Sequence, residues 1–440
     1  MATRFDAIII GSGAGGAPVA HALARAGKSV LILEKGPLYR PQYQDPMGLG
    51  DFKRDELFAT GPEKRVAIPG MANTGAAFYS SHVEPDLNDE PHIYRDRDGR
   101  DRVTVEGYTC QVVGGGTQLY GGVSLRFTPI DFRLRSFNEG RNDIRNDPNG
   151  DVKREARDWP IGYDDLEPYY TKAELLVGLN GTRQNQLKPA SADHYQKPLS
   201  TNPISEYAAR GMDALGMPRY RTPLAVITED HPPSGRKVPR DPETARTGYV
   251  NRYGDPLGLK SNTWVSLLSP ISNLPNFEIR CNSTVTHLEC DGARVTQVKY
   301  RDAGGAERTV EGKVVVVACS GIESVRLLKL SALRSAEFDR RINQNDLLGK
   351  YFLTHCFGGA SADVPGRFDK SVSLDSDWAT DFCGTEEFIR SHGLWSGGAI
   401  YNNTSDRALP ISLARTHGAQ DLDTVWNAFA NDMSLTGEAL

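Results

Sequence analysis

The first forty residues alternate apolar runs with a glycine-rich turn. Residues 5–10 are nearly all apolar and predict a buried strand of a parallel sheet. A glycine turn follows at 11–16, then an alanine-rich helix over 17–26 that Gly27 closes, and then a second strand over 29–33. The pattern predicts strand, turn, helix and strand within about thirty positions.

The glycine turn has the spacing G-x-G-x-x-G. Gly11 allows the tight turn, Gly13 lets the backbone approach a pyrophosphate, and Gly16 lets the helix pack on the strand. Glu34 ends the second strand, where a carboxylate can accept hydrogen bonds from both ribose hydroxyls. Pro18 is expected to bend the start of the helix, because it removes a backbone donor just past the predicted first turn. The segment predicts a dinucleotide site, with a glycine turn that binds no ligand as the alternative.

Later segments favour a flavin over a nicotinamide dinucleotide. Residues 37–102 are irregular where a nicotinamide enzyme would continue with β-α-β units, and the second glycine cluster at 110–122 suits a flat or anionic ligand. An antiparallel meander is predicted over 277–300, before a buried parallel strand at 314–318 and a helix over 325–330. A meander in this place is typical of the flavin-binding fold of the glutathione-reductase type.

Composition narrows the class of protein further. The chain has 440 residues, of which 39% are hydrophobic and 24% charged, so it predicts two or three globular domains. A net charge of -5 disfavours a nucleic-acid groove or a polybasic membrane surface. No apolar run reaches the roughly 20 residues of a membrane span, and no secretory leader is recognised, so the cytoplasm is expected. Six scattered cysteines without a C-x-x-C pair predict reduced thiols and no metal site.

These segments together resemble the glucose–methanol–choline oxidoreductases, flavoproteins that oxidise alcohols and sugars. The segments that carry the resemblance are 11–34, 113–122, 159–170, 314–331 and 348–355. Residues 125–132 are more similar to the bacterial sugar and polyol dehydrogenases than to the fungal oxidases. The resemblance implies an α/β fold, in which a Rossmann-like FAD-binding domain of the glutathione-reductase type accompanies a second α+β substrate domain built on an antiparallel sheet.

The resemblance also implies a division of the chain. The expected parts are an FAD-binding domain over 1–40, 105–135 and 245–350, an irregular lid over 41–104, and a substrate-binding domain over 160–240 and 356–440 that is incomplete at the C-terminus. The stretch 228–246, which crosses the expected boundary at residue 240, is rich in Pro, Arg and Asp and predicts a mobile surface loop.

Particular residues are expected at the cofactor because of the resemblance. They are Gly11, Gly13, Gly15, Gly16, Glu34, Lys35, Gly114, Gly115, Gly116, Thr117, Tyr120, Gly121, Gly122, Val285 and Ala318. The first four would hold the diphosphate, Glu34 the adenosine ribose, and Val285 and Ala318 the adenine, while Gly114 to Gly122 would line the isoalloxazine ring. Leu119 stands where some members carry a histidine that tethers the flavin, so a non-covalent FAD is expected.

The catalytic base of the family has no counterpart in this sequence. In the family it is a histidine in a segment of the form H-x-x-G-[ST]-x-R-[MF]-G, and none of the nine histidines here stands in such a segment. The catalytic residue is therefore left unassigned, and the chain is expected to be a fragment or, less favoured, a naturally shortened flavoprotein. His355 is expected to be a core histidine rather than a base, and His392 and His417 are weak candidates for substrate contacts.

The expected function is hydride transfer from the CH–OH group of a sugar, polyol or other alcohol to flavin N5. The partners implied are that small-molecule substrate and an electron acceptor, with neither nucleic acid nor a membrane span. Two alternatives stay open: a different flavin oxidoreductase acting on a steroid or an amine, and a catalytically inactive flavin-binding protein.

Overall fold

The structure is a computed structural model. It describes residues 4–44, 92–104, 110–118, 120–240, 255, 257–292, 294–366, 376–403 and 432–439. The chain divides into two compact units. Unit 1 comprises Met1–Tyr120, Arg252–Gly258 and Asn262–Phe352, and unit 2 comprises Gly121–Asn251, Leu259–Ser261 and Leu353–Leu440. No helix among the described residues is long and apolar enough to span a membrane.

The described strands number thirteen. They are β1 (Arg4–Ile10), β2 (Val30–Leu33), β3 (His92–Arg95), β4 (Asp101–Thr104), β5 (Tyr220–Arg221), β6 (Phe277–Arg280), β7 (Thr284–Asp291), β8 (Arg294–Arg301), β9 (Glu307–Val317), β10 (Cys356–Asp363), β11 (Trp378–Thr380), β12 (Gly398–Asn403) and β13 (Asp432–Ala439). The described α-helices are α1 (Gly16–Arg25), α2 (Leu134–Phe137), α3 (Asp151–Glu155), α4 (Tyr163–Val177), α5 (Ser205–Ala214), α6 (Gly321–Ala332), α7 (Ala336–Ile342) and α8 (Glu386–His392).

Unit 1 contains a six-stranded mixed sheet in the order β6-β2-β1-β9-β8-β7. The strand β1 pairs in parallel with β2 and β9, so that Ile8 lies opposite both Leu31 and Val315. An aliphatic and aromatic core packs on this sheet, comprising Phe5, Ile8, Ile10, Leu31, Leu33, Leu288, Val298, Tyr300, Val310 and Leu327. The predicted strands 5–10 and 29–33 are confirmed as β1 and β2.

The observed antiparallel meander is made of other strands than the predicted one. The observed meander comprises β7, β8 and β9, whereas β6, which was predicted to be its first strand, pairs in parallel with β2 at the far edge of the sheet. The strand β9 is antiparallel to β8 over its first half and parallel to β1 over its second half. The last meander strand and the predicted parallel strand are therefore one element. That segment was also predicted to be buried, yet Val314 is 55% exposed and residues 315–318 are only partly buried.

Helix α1 begins and ends at the residues that its local chemistry favours. It begins at Gly16, so Pro18 lies within the first turn, where its missing N–H would have no intrahelical acceptor in any case. The predicted position of Pro18 just past the first turn is thus wrong, while the bend itself stays a prediction. Gly27 follows the helix with φ +75°, and the Lys28 amide donates to the Leu23 carbonyl, which closes the helix as expected.

Unit 2 contains a five-stranded antiparallel sheet in the order β10-β13-β12-β11-β5. The predicted antiparallel sheet of a second domain is confirmed, and with the mixed sheet of unit 1 it establishes the predicted α/β class. Residues 228–240 were predicted to form a mobile surface loop, but Thr228, His231 and Arg236 are buried, and Arg236 donates to the Val177 carbonyl at the end of α4. Residues 241–246 of that stretch lie outside the described residues.

The expected lid over 41–104 lies mostly outside the described residues. Its last part, 92–104, forms a hairpin of β3 and β4 rather than an irregular segment. Asp96 organises the turn, because its carboxylate accepts hydrogen bonds from the amides of Asp98 and Arg100 and from the Arg102 guanidinium. The alternating charges of this stretch thus encode a hairpin.

Candidate cofactor-binding site

The carboxyl ends of β1, β2 and β9 border a cavity of about 690 Å³ in unit 1. Its lining comes from the turn after β1, the end of β2, the second glycine cluster, the start of β7 and the connection from β9 to α6. In open sheets with parallel strands, ligands bind at this edge. The cavity is therefore the candidate cofactor site of unit 1.

The first glycine turn divides into glycines that pack and glycines that face open space. Gly11 has φ +94°, and a Cβ there would lie 2.6 Å from the Ala318 carbonyl oxygen. A Cβ on Gly16 would overlap the Gly11 carbonyl oxygen, so this glycine allows α1 to approach β1. A Cβ on Gly13 or on Gly116 of the second cluster would meet nothing closer than 3.8 Å. Protein packing does not explain these last two, whereas a ligand lying against the backbone would.

Most of the predicted cofactor residues line this cavity. They are Gly11, Gly13, Gly15, Glu34, Lys35, Gly115, Gly116, Thr117, Tyr120, Val285 and Ala318. Gly16 and Gly114 lie outside the lining, and so do Gly121 and Gly122, which belong to unit 2. Leu119 lies outside the described residues.

Glu34 is oriented by protein donors. Its carboxylate accepts hydrogen bonds from the Ser12 amide (3.0 Å), the Ser12 hydroxyl (2.6 Å) and the Gly36 amide (2.9 Å). Burial raises the pKa of Glu34, and these hydrogen bonds oppose that rise in part. Burial also lowers the pKa of the neighbouring Lys35.

The hydroxyl of Thr117 takes part in the protein's own hydrogen bonds. It donates to the Gly114 carbonyl (2.6 Å) and accepts from the Thr263 amide (3.0 Å). The neighbouring Gln118 accepts from the Asn262 side chain (3.0 Å). Ser12, Asn262 and Thr263 thus support the two glycine turns, and sequence reasoning missed all three. The signal that could have found them is their position, within the first glycine turn and at the start of the apolar run 264–268.

Several further residues line the cavity without having been predicted. They include Cys110, Gln111, Ser283, Thr284, Cys319, Ser320, Glu323 and Arg326. Ser320 has φ +80° and ψ 170°, a backbone conformation found almost exclusively in glycine. It precedes α6, and its hydroxyl accepts from the Glu323 amide (3.5 Å). Burial raises the pKa of Cys319, so this thiol is held in its neutral form.

The described histidines lie away from the lining. His355 is exposed, so its expected place in the core is wrong. His392 lies in the last turn of α8 and stacks on Phe388 at 3.9 Å. His82 and His417 lie outside the described residues. Among the described residues, no three His, Cys, Asp or Glu side chains are grouped so that they could hold a metal ion.

Comparison with known families identifies the class first. Residues 6–43, which contain β1, the glycine turn, α1, β2 and Glu34, match the family model described as FAD binding domain. The chain is thus a flavoprotein with FAD as its cofactor. Residues 155–357 match the model described as GMC oxidoreductase. Over this segment the chain is similar to the glucose–methanol–choline oxidoreductases.

Individual relatives agree with this similarity. A 2-methyl-1,2-propanediol dehydrogenase from Mycolicibacterium austroafricanum is 27% identical over 361 residues, covering 80% of this chain and 55% of that protein. A 6'''-hydroxyparomomycin C oxidase from Streptomyces lividus is 28% identical over 331 residues, covering 74% and 50%. The crystal structure of a formate oxidase shares the fold with a TM-score of 0.55 at 12% identity, over 100% of this chain and 73% of that one. The chain spans about half the length of the curated relatives it matches.

Proposed function

We propose that the cavity of unit 1 binds FAD, and that the chain is an FAD-dependent oxidoreductase acting on the CH–OH group of a sugar, polyol or other alcohol. The supporting observation is that two glycine clusters from distant parts of the chain converge on one cavity, where Gly13 and Gly116 leave open space beside their backbones. When bound, FAD supplies the acceptor for the hydride of the alcohol carbon.

Different residues of the chain would bind different parts of the cofactor. The turn of Gly13 and Gly15 at the N-terminus of α1 offers backbone donors to a diphosphate. Glu34, already oriented by Ser12, would accept from the ribose hydroxyls. Val285 and Ala318 would lie beside the adenine.

The second glycine cluster would lie along the flavin ring. Gly115, Gly116, Thr117 and Tyr120 line the cavity and are retained in this role. Gly114 takes a supporting role, because its amide donates to Ser12 inside the protein. Gly121 and Gly122 are not assigned to the flavin ring, since they lie outside the lining of the cavity.

The substrate class rests on the family and on the names of its members. One relative acts on a diol and another on a hydroxylated paromomycin, which agrees with an alcohol donor. No histidine stands among the described residues that line the cavity, and the catalytic base stays unassigned. Dehydrogenase and oxidase activities differ in the electron acceptor, and either fits this site.

The test is a spectroscopic titration of the purified chain. The chain is expected to bind FAD and to show the visible absorbance of a protein-bound flavin. Anaerobic addition of diols, sugars and simple alcohols is then expected to bleach that absorbance. Gly116→Ala serves as the matched variant, because its new methyl group would stand where the ligand is proposed.

Other results of this titration would favour a different function or contradict the site. Bleaching by amines or steroids, without bleaching by alcohols, would favour a different flavin oxidoreductase. A bound flavin that a chemical reductant bleaches, but no donor does, would contradict the proposed activity and leave a flavin-binding protein. A folded chain that binds no FAD would contradict the site itself.

A further inference from the structure

The two glycine turns approach each other closely inside unit 1. A Cβ on Gly115 would lie 3.2 Å from the Cα of Gly13 and 3.8 Å from its amide nitrogen. Backbones at this separation leave no room for an apolar side chain between them. Something other than hydrophobic packing must therefore set their spacing on the cavity side.

Ser12 joins the first turn to the second. Its hydroxyl donates to Glu34 (2.6 Å) and accepts from the Gly114 amide (3.0 Å), although Gly114 is 102 residues away in the sequence. The side chain is completely buried. One hydroxyl thus connects the turn after β1, the end of β2 and the start of the second cluster.

Thr263 joins the same two turns from a third segment. Its hydroxyl donates to the Ser12 carbonyl (2.8 Å), and its amide donates to the Thr117 hydroxyl (3.0 Å). Thr117 in turn donates to the Gly114 carbonyl. Ser12 and Thr117 line the cavity, whereas Thr263 does not. Thr263 can therefore influence a ligand through the positions of the two turns and not by touching it.

We propose that the hydroxyls of Ser12, Thr117 and Thr263, here called the hydroxyl clasp, fix the spacing of the two glycine turns and so set the affinity of the cavity for FAD. Thr263 is a positioning residue in this scheme. The inference rests on the proposed assignment of the cavity to FAD. Because the clasp is made of hydrogen bonds between segments, its loss should loosen the turns while the aliphatic core of the sheet stays intact.

The test uses Thr263→Val, which removes the hydroxyl and keeps the shape of the side chain and its amide. FAD titration of the apoprotein, followed by flavin fluorescence, is expected to show a Kd raised about three- to tenfold, the usual effect of one lost neutral hydrogen bond. Thr263→Ser keeps the donor and is expected to bind FAD as the wild type does. Ser266→Ala is the matched control, because among the described residues its buried hydroxyl bonds only within its own helical turn, to the Asn262 carbonyl.

Hydrogen exchange of the apoprotein separates positioning from general loss of structure. Faster exchange confined to residues 11–16 and 112–118 in Thr263→Val supports the clasp. A uniform increase over β1, β2 and β9 would overturn it, because the variant would then have weakened the fold as a whole. Equal FAD affinities in wild type and Thr263→Val would overturn the clasp alone, whereas a wild-type chain without FAD affinity would overturn the proposed function as well.

Discussion

The interiors of the two units are stabilised in different ways. Unit 1 packs aliphatic residues on its sheet, and its buried carboxylate, Glu34, is compensated by amide and hydroxyl donors. Unit 2 buries ion pairs: Lys188 and Asp381 are each 2% exposed, and Arg126, with its side chain 1% exposed, binds Glu174. Among the described residues, unit 1 thus compensates its buried carboxylate with uncharged donors, while unit 2 pairs its buried carboxylates with cationic side chains.

The largest effect is expected from breaking the buried pair of unit 2. Arg126 donates to Glu174 through Nε (2.7 Å) and Nη2 (2.6 Å), and also to Thr171. Arg126→Met should lower the free energy of unfolding of unit 2 by about 3–5 kcal/mol, because it leaves a buried carboxylate without this partner. Hydrogen exchange resolved by unit measures the loss.

The matched control is Arg390→Met, at the exposed pair of Arg390 with Glu386 (2.7 Å). That change should cost less than about 1 kcal/mol, as is usual for surface pairs. Equal costs for the two variants would mean that charge pairing does not distinguish the interior of unit 2.

Protonation should act in opposite directions at Glu174 of unit 2 and at Glu34 of unit 1. Burial alone would raise the pKa of Glu174, but hydrogen bonds from Arg126 and the charge of Arg183 lower it to about 2. A folded pKa below the ordinary 4.5 stabilises the fold above pH 4.5, and this contribution of about 3 kcal/mol is lost as the pH falls toward 2. The raised pKa of Glu34 has the reverse sign, because protonation relieves the cost of its buried charge.

Hydrogen exchange at a series of pH values, corrected for the intrinsic exchange rate, tests this difference. Unit 2 is expected to lose protection at a higher pH than unit 1. Glu386→Gln, which removes an exposed carboxylate, should leave the profile unchanged. Simultaneous loss of protection in both units would contradict the comparison.

A smaller effect is expected from shape changes in unit 1. Gly16→Ala should destabilise unit 1 by about 1–3 kcal/mol, since the new methyl group overlaps the Gly11 carbonyl and forces the helix away from the sheet. Gly116→Ala should change the free energy of unfolding by less than about 0.5 kcal/mol, because nothing lies within 4 Å of the new Cβ. Urea unfolding of the two apoproteins measures both values, and a reversed order would show that packing at Gly16 is adaptable.

The smallest effect is expected at Ser320. Ser320→Gly should stabilise unit 1 by about 1 kcal/mol, because glycine adopts φ +80° and ψ 170° without strain. Ser335→Gly is the control, since Ser335 begins α7 with an ordinary φ of -145° and its hydroxyl accepts from Phe338 (3.2 Å). That variant should lose a few tenths of a kcal/mol. Thermal unfolding shows whether each variant is more stable or less stable than the wild type.

Local features were predictable from the sequence, and features that join distant segments were not. The turn at 11–16, the cap at Gly27 and the strand before Glu34 follow from rules that act within a few residues. The double pairing of β9 and the bond from Gly114 to Ser12 depend on partners far away in the chain. The spacing of residues along the sequence does not predict which distant segments pair or form hydrogen bonds.

The buried charges of unit 2 were missed for a related reason. An arginine such as Arg126 is expected at the surface unless a partner is known, and Glu174 lies 48 residues further on. The strained backbone of Ser320 is equally hidden, because a serine gives no sign of a positive φ. The cavity lining thus includes Glu34 and five of the nine predicted glycines, whereas the hydroxyls that support the glycine turns were not predicted.

The strand β9 also determines when unit 1 can be completed during synthesis. It pairs with both β8 and β1, and its Val315 lies beside Ile8, which is synthesised about 300 residues earlier. At roughly 5–20 residues per second, the partner of β1 is made about 15 to 60 s later. Until then, the β9-facing edge of β1 is a row of free amides and carbonyls that other chains can pair with. Expression at low temperature or with abundant chaperones should accordingly raise the yield of folded protein.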